Sequence, residues 1–298
     1  MPHSRSLPSM GKATGRSTTA LQVPPIDGTV RAQLVSFLRG YLEGTSEAGG
    51  TRRRCYVVGL SGGIDSAVAA ALAVEAVGSK RVLAVLLHLR PSGRDYRDAT
   101  AIAAHLGIPS LSLPLGPVLL ATAKAAQVPL RPRRQEDRLR GGNIAARLRM
   151  VLLYDQAANR GGLVLGSGNK SELLLGYFTK HGDGGVDLAP LGDLFKTQVR
   201  TLARDLGLPQ FVVGKAPSAG LWPGQSDEQE LGASYEQLDR ALRGIELGLH
   251  GRSLASAAGV SVDVAARVEA RVAASVHKRR LPLIPKVGVR TIGTDWRE

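Results

Sequence analysis

Apolar residues recur along this chain in two alternating rhythms, short unbroken runs and helical stripes. Val30 to Leu42 spaces its apolar positions at helical intervals and predicts the first ordered helix. Cys55 to Leu60 (CYVVGL) is a continuous apolar run, as expected of a short strand buried on both faces. Ser66 to Val77 (SAVAAALAVEAV) reads as a closely packed helix rich in small residues. The alternation continues with strands over Val82–Leu87, Ile108–Leu113 and Leu163–Gly166. Helices are expected over Asp98–Leu106, near Pro117–Gln127, and over Asn143–Asn159 and Thr197–Leu206, with helical pieces from Tyr235 to His277. Repeated strand–helix units with apolar strands predict an α/β fold whose parallel sheet is covered by helices on both faces. The basic, Pro- and Gly-punctuated stretch from Val128 to Gly142 predicts a mobile loop, and Lys215 to Glu230 a lid-like loop.

Residues 1–20 are rich in Ser, Thr, Gly and Pro, with almost nothing to bury, and read as disordered. Their acid-poor composition is that of a transit peptide, but no amphipathic apolar face accompanies it, and a plain tail is the simpler reading. The domain expectation is a disordered basic tail over residues 1–27 and a single domain over residues 28–298. No apolar run approaches the roughly 20 residues of a membrane span. The single cysteine, Cys55, rules out an intrachain disulfide and suits a reducing cytoplasm. At the head of a buried strand it is expected to be a small hydrophobe rather than a nucleophile.

The net charge of +14 raises the question of nucleic acid. Its distribution leaves that question open, because residues 1–20, 124–149 and 271–298 carry the whole excess. A tail, a loop and a C-terminal segment suit small phosphate-rich ligands as well as a polynucleotide. Aromatics at 4% leave few stacking platforms for a single strand. Neither nucleic acid nor membrane is an expected partner.

The densest chemistry lies in Ser61-Gly62-Gly63-Ile64-Asp65-Ser66, between the strand and the Ala-rich helix. A Gly-rich turn into a helix aims several N–H groups and the positive helix end at one point, which holds phosphate. The loop has no lysine, so it is not the loop of γ-phosphate-transferring NTPases. A carboxylate here repels phosphate unless a divalent cation lies between, so Asp65 suggests Mg²⁺. The plainer alternative is a corner where glycines relieve strain and Asp65 with Ser66 caps the helix. A second segment, Leu163 to Leu194, ends a strand at Gly166 and opens the next element with Ser167-Gly168-Asn169-Lys170-Ser171-Glu172. Ligands of open α/β sheets bind beyond the carboxyl ends of strands, so both loops are expected on one rim, with Glu172 sharing the cation of Asp65. The alternative for Glu172 is an exposed acid in a first helical turn. Lys196 opens a helix where acids are preferred, which suggests a phosphate partner.

Gly59 to Ser66 resembles the pyrophosphate loop of the N-type ATP pyrophosphatases. LVLGSGNKSE, GYFTKHGDGGVDL, LGDLFKTQVR, PSAGLWPGQSDEQELG and HKRRLP are similar to the NAD synthetases of that superfamily. The likeness spans about Tyr41 to Pro285 and leaves residues 1–40 unmatched. It implies a Rossmann-like three-layer sandwich of the adenine nucleotide alpha hydrolase-like type, with a helical C-terminal segment. It also implies a cytoplasmic, Mg²⁺-using homodimeric ligase that amidates deamido-NAD with ammonia through an acyl-adenylate, releasing AMP and pyrophosphate.

By the same resemblance Gly59, Leu60, Ser61, Gly62, Gly63, Ile64, Asp65 and Ser66 cradle the pyrophosphate, and Ser167, Lys196 and Ser218 contact ATP. Arg147, Lys180, Asp187, His277 and Lys278 contact deamido-NAD, and Asp65 and Glu172 hold Mg²⁺. Asp65, Lys196 and Lys180 are the catalytic candidates. Many bacterial members carry Thr at the positions of Ser167 and Ser218, and the GSGNKSE form is closer to the archaeal-type branch. Free ammonia is the expected nitrogen donor, since a glutamine-hydrolysing site is commonly built around a cysteine on a separate domain. A tRNA-modifying pyrophosphatase would share the loop and explain the charge, but usually needs reactive or metal-binding cysteines. A regulator with dead chemistry would not need both acids.

Overall fold

The structure, a computed structural model, describes residues 20–44, 53–89, 91–129, 132–218, 220, 222 and 224–290. The first half of the chain runs through helix α1 (Gly28–Gly44), strand β1 (Tyr56–Gly59), α2 (Ile64–Val77), β2 (Val82–His88), α3 (Arg94–His105), β3 (Ser110–Pro114) and α4 (Gly116–Ala125). It continues through α5 (Gln135–Arg160), β4 (Leu163–Leu165), α6 (Lys170–Leu175), α7 (Lys196–Asp205) and the short α8 (Gln210–Val213) and α9 (Asp227–Leu231). Helices α10 (Tyr235–Glu246), α11 (Gly251–Ala258) and α12 (Val262–Ala274) complete it.

The four strands pair in parallel, in the order β3-β2-β1-β4. In β1, Tyr56, Val57 and Val58 are fully buried, which is why this run carries no polar alternation. One face of the sheet is covered by α1, α2, α3 and α7, through a core that joins Leu38, Val58, Leu72, Ile102 and Val199. The alanines of α2 make that approach close, and Ala67 to Ala73 are nearly all inaccessible. The other face packs Val57, Val85 and Val164 against Leu153 and Ala157 of α5. The result is three layers, helix–sheet–helix. A smaller apolar cluster joins Leu175 and Phe195 to Leu238 and Leu242 of α10 and Val268 of α12, so the C-terminal helices form a cap on one end.

Chain direction explains where a ligand goes. From β1 the chain winds through β2 to β3 on one side, then returns to place β4 on the opposite side of β1. The crevice beyond the carboxyl ends of β1 and β4 is therefore a topological switch point.

Two expectations need correction. Residues 135–142 are not a loop but the first two turns of α5, 26 residues long. The Arg-rich, Gly-paired sequence reads as a breaker, yet Gly142 is buried, Gly141 faces Val128, and α4 packs on this helix. Tertiary contact overrides the propensity cost of glycine, about 1 kcal/mol each. The expected tail also ends early. Residues 1–19 lie outside the described residues, but Leu21 donates its N–H to the Ala257 carbonyl at 2.6 Å and Pro24 accepts from Gln198 Nε2 at 2.9 Å. Val23 and Ile26 pack on the two cores.

Candidate active site

The turn after β1 places Leu60 to Ser66 at the switch point. Gly62 takes a left-handed φ of +79°, and a Cβ there would meet the Asp95 carbonyl oxygen at 2.5 Å, so only glycine fits between this loop and the start of α3. Gly63 is the residue before α2 and provides no side-chain cap, and Asp65 and Ser66 do not cap the helix either. Ser66 Oγ instead ties the loop to itself, accepting from Ser61 N at 3.2 Å and donating to the Gly63 carbonyl at 3.1 Å. The loop is thus held from within, and the first-turn N–H groups of α2 are left for a ligand.

Asp65 reaches across to the loop after β4. Its Oδ1 accepts from Asn169 Nδ2 at 3.0 Å, and its Oδ2 accepts from Lys196 Nζ at 2.5 Å. Lys196 Nζ also donates to Glu172 Oε1 at 3.0 Å. Asn169 and Glu172 form a capping box at the start of α6, which fixes both side chains at once. Lys196 is 2% exposed. Its backbone N–H donates to Ser171 Oγ at 2.9 Å, and Ser171 donates to Asp239 Oδ1, which is itself fully buried. The ring of Tyr235 lies 5.3 Å from the Lys196 ammonium.

Burial works against the charge of Lys196, but Asp65 and Glu172 outweigh it and hold the ammonium above the ordinary lysine value. Burial pushes the Glu172 carboxyl up to about 7, with the Asp65 charge adding to the rise and Lys196 opposing it. The lysine at the start of α7, for which its position suggested a phosphate partner, has two carboxylate partners within its own chain.

A cleft of about 1290 Å³ opens over these groups. Of the residues expected at the site, Gly59, Leu60, Ser61, Gly63, Ile64, Asp65, Ser66, Ser167, Glu172, Lys196, Ser218 and Lys278 line it. Gly62 does not; it is turned against Asp95 and Asp98 at the start of α3. Arg147, Lys180, Asp187 and His277 do not line the cleft either. Arg147 is exposed and donates from Nε to the Lys180 carbonyl at 3.3 Å. Asp187 accepts from Val164 N at 2.7 Å and from the Tyr154 hydroxyl at 3.3 Å, contacts that brace the end of β4. Lys278 Nζ is held by the carbonyls of Gly176 and Phe178 at 2.7 and 2.8 Å.

Several lining residues escaped the sequence reading. On α5 the cleft takes Gln135, Leu139, Asn143, Ala146, Arg149, Met150 and Leu153, a stripe at spacings of three and four. That period puts Arg149, two positions beyond Arg147, on the inner face. Arg149 has no hydrogen bond or ion pair with any described residue; burial lowers its pKa, and the Asp183 charge opposes the shift. Lys215 also lines the cleft. Asn169, Ser171 and Asp239, the support of Lys196, lay in motifs already noticed or in a helix with no signal of its own.

A family model described as NAD synthase matches residues 30–282. The chain belongs to that family. An NH(3)-dependent NAD(+) synthetase of Methanosarcina mazei is 42% identical over 259 residues, which covers 86% of this chain and 96% of that one. Among solved structures, the NMN synthetase from Francisella tularensis aligns with a TM-score of 0.71 and 34% identity, covering 86% of this chain and 98% of that one. The NH3-dependent NAD synthetase from Campylobacter jejuni, solved with a nitrate ion, aligns with a TM-score of 0.70 and 27% identity, covering 88% and 100%. The layered parallel architecture is the one the resemblance implied, and the tRNA-modifying alternative is not favoured. Among the described residues no helix is long and apolar enough to cross a membrane.

Proposed function

We propose that this chain joins ammonia to the nicotinate carboxylate of deamido-NAD, forming NAD and converting ATP to AMP and pyrophosphate. The observation that carries the reading is the meeting of a lysine-free pyrophosphate loop with the Asp65–Lys196–Glu172 cluster beneath one cleft, in a chain of this family.

The chemistry follows from what the site offers. A carboxylate is a poor electrophile until it carries a leaving group. In the first step a substrate carboxylate oxygen attacks the α-phosphorus, and the bond to the β-phosphate breaks to release pyrophosphate. In the second, the ammonia lone pair attacks the acyl carbon, AMP departs with the bridging oxygen, and the nitrogen loses a proton. Both steps gain most from positioning and charge neutralisation. The N–H groups at the start of α2 hold the departing pyrophosphate, and the Ser167 and Ser218 hydroxyls orient the nucleotide. Lys196 offsets phosphate charge from a fixed, buried position. Lys180, the remaining catalytic candidate, acts in this reading from outside the cleft of its own chain.

Asp65 and Glu172 already share one cation, the ammonium of Lys196, at 2.5 and 3.0 Å. Two hard oxygen donors within reach of a common cation, with phosphate oxygens to complete the shell, suit Mg²⁺. They are the residues that would hold it, and when bound it neutralises charge on the phosphates.

The reading includes a homodimer. Arg147, Lys180 and His277, away from the cleft of their own chain, serve deamido-NAD bound near the interface with a second copy. A cytoplasmic site of action goes with it, as the reaction consumes ATP.

The test supplies purified chain with ATP, Mg²⁺ and ammonium, and offers deamido-NAD and nicotinic acid mononucleotide in separate reactions. The second substrate is included because the Francisella relative carries the name NMN synthetase. NAD formation at the higher kcat/KM supports the reading; efficient amidation of the mononucleotide alone would replace the substrate while keeping the chemistry.

A further inference from the structure

Lys215 follows α8 in the 214–218 segment, which also brings Ala216, Pro217 and Ser218 to the cleft, and Gln225 lines it further along the chain. Its Nζ donates to the Gly62 carbonyl at 3.0 Å, to Asp98 Oδ2 at 2.7 Å and to Asp95 Oδ1 at 2.8 Å. We propose that Lys215 is a positioning residue that seats this segment on the pyrophosphate loop, setting both nucleotide affinity and the shielding of the acyl-adenylate from water. The shielding half of this proposal rests on the amidation reading above; the nucleotide half does not.

Three observations converge on it. The Gly62 carbonyl and the Gly63 N–H belong to one planar peptide, and that N–H donates to Ser61 Oγ at 3.2 Å, so a donor fixed on the carbonyl also steadies the Ser61 hydroxyl that lines the cleft. The loop has no slack here, because Gly62 is pressed against the Asp95 backbone with no room for a Cβ. The loop, the start of α3 and Lys215 therefore move as one unit.

The second observation is charge. Asp95 and Asp98 stand beside a loop built to bind anions, and uncompensated they would lower its affinity for phosphate. Lys215 is the cation hydrogen-bonded to both, while the largely exposed Arg94 lies 3.9 Å from Asp98 and adds little. The Asp98 contact is the stronger, since the two side chains are only 16% and 20% exposed; Asp95, at 70%, contributes little.

The third is division of labour. Lys196, which also lines the cleft, is committed to Asp65 and Glu172 on the far side of the loop. Among the described residues Lys215 is the lysine that bonds the pyrophosphate loop backbone itself.

The experiment uses the full chain carrying Trp296→Phe, so that Trp222, seven positions beyond Lys215, is the remaining tryptophan reporter. Lys215→Ala, Lys215→Arg and Asp98→Asn are compared with this parent. Calorimetry measures binding of α,β-methylene ATP with Mg²⁺, Trp222 emission is followed during the titration, and AMP formed per NAD is counted during turnover. Lys215→Ala is expected to weaken analogue binding about tenfold, to blunt the Trp222 response and to raise AMP per NAD above the parent's one to one. Lys215→Arg keeps the charge but not the single-atom bond to Gly62, and should bind the analogue while still leaking AMP. Asp98→Asn should change all three readouts in the direction of Lys215→Ala, by less, and serves if Lys215→Ala does not fold. Analogue affinity, Trp222 response and AMP-to-NAD ratio all at parental values in the Lys215 variants would overturn the proposal. Loss of NAD formation with the ratio and the affinity unmoved would overturn it too, since Lys215 would then act in catalysis and not in seating. A parent that binds the analogue and shows the Trp222 response but makes no NAD would instead overturn the amidation reading alone.

Discussion

Lys196 Nζ lies 2.5 Å from Asp65 Oδ2, although 131 residues separate them in the chain. The contact joins the loop after β1 to the start of α7 and brings Glu172 in as a third member. Removing different members should therefore have different consequences. Asp65→Asn or Glu172→Gln leaves Lys196 with one carboxylate, so the fold should persist while turnover falls at least about a hundredfold. Lys196→Met leaves two partly buried carboxylates facing each other and should cost about 3 kcal/mol of stability as well as activity. Thermal melts run beside steady-state rates check the asymmetry. Near-normal activity in either carboxylate variant across a Mg²⁺ titration would contradict the assigned roles.

Arg149 is a partly buried guanidinium without a hydrogen-bonding partner among the described residues, lining the cleft near Asp183. A cation desolvated in this way destabilises the free protein and becomes useful when an anion arrives. Arg149→Met is expected to leave Tm unchanged or raised while KM for deamido-NAD rises about tenfold or more. A fall in Tm with unchanged KM would show that the residue supports the fold instead.

Burial raises the pKa of the Cys55 thiol, and the charges of Arg160 and Arg81 pull it down less than burial lifts it. At pH 8 its thiolate fraction is therefore below that of an ordinary cysteine. Iodoacetamide should label the native protein far more slowly than the urea-unfolded chain, with the native rate climbing as pH rises above 9. Cys55→Ala should retain full ammonia-dependent activity, and neither form should use glutamine in the absence of ammonium. Rapid native labelling at pH 8 that also stops turnover would contradict a purely structural thiol.

Much of this was legible in the sequence because it is local. The apolar runs that became β1, β2 and β4 carry no polar positions, and the SGGIDS turn sits between a run and a stripe. The Asn169–Glu172 capping box lies within four consecutive residues. What escaped is non-local. Ser171, Asp239 and Lys196 are joined across 68 and 25 positions, and no spacing rule links them. The start of α5 escaped for a different reason. Its glycine pair and arginines argue against a helix locally, and only packing on α4 and the cleft reverses that preference. Arg149 escaped because no local signal says which face of α5 turns toward the cleft; Arg147, two positions earlier, is exposed.

The central claim is that a substrate carboxylate is activated by transfer of adenylate. Deamido-NAD carrying ¹⁸O in both oxygens of its nicotinate carboxylate, turned over with ATP, Mg²⁺ and ammonium, tests this directly. The AMP formed should contain one ¹⁸O in its phosphate, the NAD should keep the other in its amide carbonyl, and pyrophosphate should contain none. Unlabelled AMP, or ADP with label in orthophosphate, would contradict the account.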